Sequence, residues 1–261
     1  MRSVRTCLKQ SSCFWRSEAI TAETVTCAKG NTYKLHKKHV LTDKKDVSAK
    51  PVPVESTKAI VLFIGGAGDK ESYYFSGPYG NILAARAAFD KRNESLSAKG
   101  RYRSEWLGYN EVRGKQDIQR YVLSLIPYKS CPIYIVGHSL GGWNGAHLTK
   151  LMSDWGYRMQ MLITLDPVGE GALVWIGSDI YRQRPDPVAV EWINIQATPT
   201  NRNSSDGVAD FGEKWIVSCG PSLNVNVDTS HANALELFDA PISGGNSASD
   251  LLLASIMKEF S

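Results

Sequence analysis

Apolar residues fall along this chain mostly in short unbroken runs. Ala59-Ile60-Val61-Leu62-Phe63-Ile64 and Pro132-Ile133-Tyr134-Ile135-Val136 are two such runs, and Met159 to Leu165 and Val188 to Gln196 are mostly apolar with few polar positions. A strand covered on both faces has no need of alternating polar positions, so these runs predict buried strands of a parallel sheet. Arg101 to Leu107, Trp215-Ile216-Val217 and Leu223 to Val227 are further strand-like stretches. Between them the spacing turns helical: Tyr79 to Phe89, Val112 to Ile126 with Ile118, Val122, Leu125 and Ile126 on one face, Leu140 to Trp155, and Ala248 to Phe260. Thr198 to Asp210 reads as a polar loop. Strands alternating with helices predict an α/β fold, a mostly parallel central sheet with helices on both faces, over residues 58–261.

Residues 1–57 follow a different pattern. Ala19 to Cys27 and Thr32 to Leu41 are rich in Thr and Val and flank Lys29-Gly30-Asn31, which predicts a β-hairpin packed on the edge of the main domain. Asp43 to Glu55, with Pro51 and Pro53, reads as a linker. Charge separates the two parts as well. Residues 1–50 hold 11 Lys and Arg against 4 Asp and Glu, net +7, and the rest holds 19 against 22, net −3. The basic extension is either a solvated arm or a contact for an anionic surface such as phospholipid. Its cations are not interleaved with aromatics, so a nucleic-acid platform is not expected.

The 261 residues, 43% hydrophobic and 21% charged, fit one large folded domain with short additions. No apolar stretch approaches the ~20 residues of a membrane span. The first residues carry positive charge but no apolar run follows, so no Sec leader is expected. Synthesis in the cytoplasm follows, with any export by a route that needs no signal peptide. Five cysteines, an odd number with no C-x-x-C, argue against a zinc site and against a disulfide framework.

The second apolar run ends in Gly137-His138-Ser139-Leu140-Gly141, and a helical pattern begins at once. A strand, a G-x-S-x-G pentapeptide and a helix make a nucleophile elbow. The serine of such an elbow sits on a sharp, strained turn, and small flanking residues keep the turn free of clashes. The helix starting behind it offers free N–H groups and a favourable dipole to a developing oxyanion.

A serine hydroxyl is a poor nucleophile near neutral pH and needs a base oriented by an acid. In open α/β sheets the reactive groups gather beyond the carboxyl ends of the strands. His231 follows the strand-like Leu223–Val227 and is the candidate base. His138 sits within the elbow and is expected to point elsewhere, His147 lies two turns down the helix, and His36 and His39 belong to the basic extension. Asp166, directly after Met159–Leu165, is the leading acid. Asp206 is the main rival, and Asp186 and Asp228 are weaker ones. Backbone N–H groups of Leu140 and of Gly66 or Ala67, in the glycine loop after Ile64, are the candidate oxyanion donors. That loop fails both the Walker and the G-x-G-x-x-G patterns, so it is not expected to hold a nucleotide. Gly169 to Arg184 carries Leu173-Val174-Trp175-Ile176. Leu173, Trp175 and Ile176 there form either a lid or acyl-chain wall over the serine, or part of a plain crossover helix.

With these residues placed, the chain from about Lys58 resembles the α/β-hydrolase superfamily, and its lipase branch in particular. Gly-His-Ser-Leu-Gly-Gly at 137–142 is a form that lipases commonly show. Ile163-Thr164-Leu165-Asp166-Pro167 is similar to the Leu-Asp-Pro of pancreatic-type lipases, where the aspartate is the triad acid. The chain departs from the family in lacking a histidine before the glycine loop. An esterase core with a basic N-terminus and no leader also resembles bacterial lipase-type effectors exported by contact-dependent secretion. The resemblance implies a serine ester hydrolase (lipase, phospholipase or esterase) working through an acyl-enzyme on Ser139, His231 and Asp166, with no metal or organic cofactor and with phospholipid or triglyceride substrates. The alternatives are an acyltransferase or thioesterase on the same triad, or a non-catalytic hydrolase-like binding protein.

Overall fold

The computed structural model describes residues 59–73 and 77–261 in full, and the backbone of a hairpin at 21–26 and 32–37. The hairpin strands β1 (Thr21–Thr26) and β2 (Thr32–Lys37) pair antiparallel in the register Thr21 to Lys37 and Thr26 to Thr32. The expected packing of this hairpin on the core, the remainder of the basic extension and the 43–55 linker lie outside the described residues.

The main body contains six further strands in one sheet: β3 (Ala59–Gly65), β4 (Tyr102–Gly108), β5 (Ile133–His138), β6 (Met159–Leu165), β7 (Glu191–Ala197) and β8 (Leu223–Val227). Their order is β4-β3-β5-β6-β7-β8, and every neighbouring pair is parallel. The unbroken apolar runs are therefore the central strands, as expected. Alternate residues of β3 serve opposite faces. Ile60, Leu62 and Ile64 join a core with Ile133, Ile135, Val122 and Trp143. Ala59, Val61 and Phe63 join a second core with Phe89, Val136, Phe238 and Leu252.

The covering helices are α1 (Asn81–Arg92), the short α2 (Glu94–Ala98), α3 (Lys115–Asp117), α4 (Leu140–Asp154), α5 (Ala172–Gly177), α6 (Ser204–Phe211), α7 (Ala234–Asp239) and α8 (Ala248–Lys258). A two-stranded turn, β9 (Pro241–Ser243) with β10 (Asn246–Ser247), leads into α8. The layout is that of the α/β-hydrolase architecture. No helix among the described residues is long and apolar enough to cross a membrane.

Three expectations are corrected. The single helix expected from Val112 to Ile126 is broken, because Arg113 is extended (φ −118°, ψ 136°). Helical geometry restarts at α3 and continues as a π turn, Ile118–Val122, and a 3₁₀ turn, Leu123–Leu125, which still bury Ile118 and Val122. Trp215-Ile216-Val217 is no strand, since β8 already occupies the edge of β7. The segment crosses the carboxyl end of the sheet instead, with the Trp215 N–H on the Pro167 carbonyl and the Gln196 side-chain amide on the Trp215 carbonyl. The polar stretch 198–210 contains α6, whose start is fixed by a reciprocal capping box between Asn203 and Asp206.

Candidate active site

Ser139 joins β5 to α4 at φ 55° and ψ −128°, a conformation L-residues rarely adopt. Packing enforces this turn. A side chain at Gly141 would place its Cβ 2.2 Å from the Ile64 carbonyl oxygen, so only glycine lets α4 begin this close to β3. Asp166, immediately after β6, has φ 42°, and Glu213 has φ 55°. These are the non-glycine residues with positive φ among those described, and all are at or beside one site. Backbone strain of this kind persists where the surrounding structure over-determines it.

His231 lies beyond β8, in the turn before α7. Its Nε2 is 3.0 Å from Ser139 Oγ and its Nδ1 is 2.6 Å from Asp166 Oδ2. An ionised carboxylate only accepts, so Nδ1 carries the proton and Nε2 is free to accept from the serine hydroxyl. Asp166 is fully buried, and its Oδ1 accepts the Ala197 N–H at 3.0 Å. Burial pushes this carboxyl up. The hydrogen bonds and charges of His231 and Lys214 outweigh that, and the group titrates below the usual aspartate value.

Three further residues hold the imidazole and the acid, and of these only Asp206 is a candidate from the sequence, as the rival acid. Lys214 Nζ is 2.9 Å from Asp166 Oδ2 and donates to the Ala197 carbonyl at 3.1 Å. Asp206, the rival acid, receives the main-chain N–H of His231 at 2.8 Å rather than its ring. Its other oxygen receives the Asn203 N–H in the α6 capping box. His138, expected to point elsewhere, lies beside the base: its Nε2 is 2.7 Å from the His231 carbonyl, and the two rings are 4.8 Å apart. Burial first, and then the neighbouring His231, push the His138 imidazole down to about 3, so it is neutral and donates. The capping pattern Asn203-x-x-Asp206 was a readable signal for Asp206. Nothing in the spacing marks Lys214.

The remaining candidates fall elsewhere. His147 is bound to the Gln183 carbonyl, and Asp228 caps Thr200 through its backbone and hydroxyl. The side chains of His36 and His39 are outside the described residues. Leu173 and Ile176 of α5 face solvent, and Trp175 donates to the Gly169 carbonyl. None of the three is among the described residues lining the cavity at Ser139.

That cavity has a volume of about 500 Å³. Gly66, Ala67, His138, Ser139 and His231 line it, together with the amides and hydroxyls of Asn81, Asn203, Ser204, Ser205, Ser230 and Asn233 and with Asp69, Tyr79, Val208 and Ala232. A Cβ on Gly66 would stand 2.6 Å from Ser139 Cβ and 3.0 Å from its Oγ, so the glycine loop approaches the serine as closely as a backbone can. Asp69 ties this loop to the start of α1 by accepting the N–H groups of Asn81 and Ile82. No cluster of three or more His, Cys, Asp or Glu suited to a metal ion occurs among the described residues.

A parallel sheet presenting a strained serine, a histidine and a buried aspartate in one hydrogen-bonded chain is a site of the serine-hydrolase type, an arrangement consistent with a catalytic triad. No protein-family model matches the sequence, and no curated protein matches it. Among solved structures the chain is similar to YbtT, a type II thioesterase from the yersiniabactin NRPS/PKS biosynthetic pathway. The two share 12% identity with a TM-score of 0.38, over 80% of this chain and 95% of that one.

Proposed function

We propose that the protein is a serine acyl hydrolase that cleaves carboxylic esters or thioesters through an acyl-enzyme. The observation that carries this reading is the chain Asp166 Oδ2–His231–Ser139 Oγ, at 2.6 and 3.0 Å. Ser139 Oγ attacks the acyl carbon as His231 Nε2 takes its proton. The carbonyl oxygen becomes an oxyanion, received by the N–H of Leu140 and that of Gly66 or Ala67. Leu140 is the first residue of α4, so its N–H has no partner within the helix. Collapse expels the alcohol or thiol with the proton from His231. Water then attacks the acyl-enzyme, with the same imidazole as base, and releases the acid. Asp166 stays ionised and stabilises the imidazolium.

The walls of the cavity bear on the substrate. Amides and hydroxyls share the lining with Ala67, Tyr79, Val208 and Ala232, and the apolar segment of α5 stands apart from them.

The test is labelling with a fluorophosphonate, followed by turnover of p-nitrophenyl acetate, butyrate and palmitate, an S-acyl cysteamine and phospholipid vesicles. The wild type should label, turn over the short esters or the thioester, and lose both properties in Ser139→Ala. A wild-type protein that neither labels nor turns over any of them refutes the reading.

A further inference from the structure

The Lys214 ammonium shares one oxygen of the Asp166 carboxylate with the base. It is 2.9 Å from the same Oδ2 that receives His231, and its side chain is 13% exposed. Its main chain is anchored to the segment that carries the acid. Residue 214 bridges antiparallel to Val168, the Gly169 and Glu170 N–H groups donate to the Glu213 carbonyl, and the Trp215 N–H donates to Pro167. The residue before it, Glu213, is held at positive φ. Lys214 Nζ also reaches the Ala197 carbonyl, whose own N–H binds Asp166 Oδ1. Acid, lysine and the end of β7 thus form one closed ring of contacts.

We propose that Lys214 is a positioning residue of this site, whose ammonium aims the Asp166 carboxylate at His231 and keeps the imidazole in its neutral, proton-accepting form to lower pH. The idea rests on the proposed function. A carboxylate alone stabilises the imidazolium beside it and raises the pH at which the base is lost. A cation on the same oxygen cancels much of that field, while the hydrogen bond that sets the tautomer remains. The other ionisable groups facing the pair are His138 from β5, which is neutral, Asp206 from α6, and Asp69 across the cavity. Arg202 is paired with Asp210. These groups stay unchanged when only residue 214 is altered.

The experiment is the pH dependence of kcat/KM on a short p-nitrophenyl ester, and of the fluorophosphonate labelling rate, for the full chain and its Lys214→Met, Lys214→Gln and Lys214→Arg variants. The acidic limb of the wild-type profile is the reference. The two neutral variants should move the limb up by about one pH unit, and Arg should restore it. A loss of activity by the same factor at every pH, with the limb unmoved, makes the lysine merely structural and overturns the proposal. Should neither neutral variant fold, the smaller Lys214→Ala takes their place, and an unmoved limb there overturns the proposal. Labelling of Ser139 with an unmoved limb defeats the lysine's role alone. Absence of labelling in the wild type defeats the function itself.

Discussion

The His138 imidazole lies beside that of His231, ring centres 4.8 Å apart, and its Nε2–H meets the His231 main-chain carbonyl at 2.7 Å. The residue just before the serine therefore braces the base from beneath. Replacing it by leucine keeps much of the volume but leaves a buried carbonyl without its donor, at a cost of about 1–3 kcal/mol. His138→Leu should lower the denaturation midpoint accordingly. It should also reduce kcat about tenfold, with KM little changed, because a base displaced by a fraction of an ångström affects the reacting geometry more than binding. Urea unfolding and steady-state kinetics on a short ester check both effects.

The same histidine sets how the fold responds to acid. Its imidazole titrates at about 3 when folded, against 6.5 ordinarily. Between those values the unfolded chain binds a proton that the folded chain refuses, so stability falls as pH drops. The slope is about 1.4 kcal/mol per pH unit for this group. His147, pushed down to about 4 first by burial, acts in the same direction. Asp166 adds to the trend further down, because its depressed folded value means that stability present above the unfolded value is lost as pH falls through the folded one. Urea midpoints at pH 7.5, 6, 5 and 4 should decline steadily. In His138→Leu the decline between 6 and 4 should be shallower, and an identical slope in the two proteins rejects the assignment.

Gly66 offers a test of the oxyanion site that leaves the three hydrogen-bonded side chains in place. Its Cβ would fall 2.6 Å from Ser139 Cβ, so Gly66→Ala must push the loop away from the serine. A displaced N–H donor costs on the order of 10²-fold in kcat. Global stability should change much less, because the Asp69 bonds to Asn81 and Ile82 still hold the loop to α1. A variant with near wild-type turnover would remove this loop from the oxyanion site.

The parallel sheet was readable because burial on both faces removes the polar alternation a strand would otherwise show, as in β3 and β6. The elbow was readable because close approach leaves little choice but glycine at 141. Elements stabilised by long-range contacts were less visible. Trp215 looks like strand, yet its apolarity serves a cluster with Trp143 and Trp192, ring centres 5.6 and 5.4 Å away. The α6 helix is hidden in a polar stretch because only Asp206 and Ala209 of it are buried. Lys214 carried no signal at all, since its partner is 48 residues earlier in sequence and is reached only when the segment crosses the end of the sheet.

The two aspartates near His231 separate by where they bind it. Asp166 receives the ring Nδ1–H, whereas Asp206 receives the main-chain N–H and caps α6. An amide at 166 can turn its NH₂ toward the imidazole and favour the wrong tautomer, with Nε2 protonated and unable to accept from the serine. Asp166→Asn should therefore lower kcat by about 10³–10⁴-fold. At 206 the amide oxygen can still accept from the His231 main chain, so the ring keeps its tautomer. What is lost is part of the helix cap, worth about 1 kcal/mol. Asp206→Asn should reduce kcat by less than about tenfold while lowering the urea midpoint. Kinetics of both variants at pH 8 make the comparison direct. Equal losses from the two changes, or a larger one at 206, would transfer the acid's role from Asp166 to Asp206.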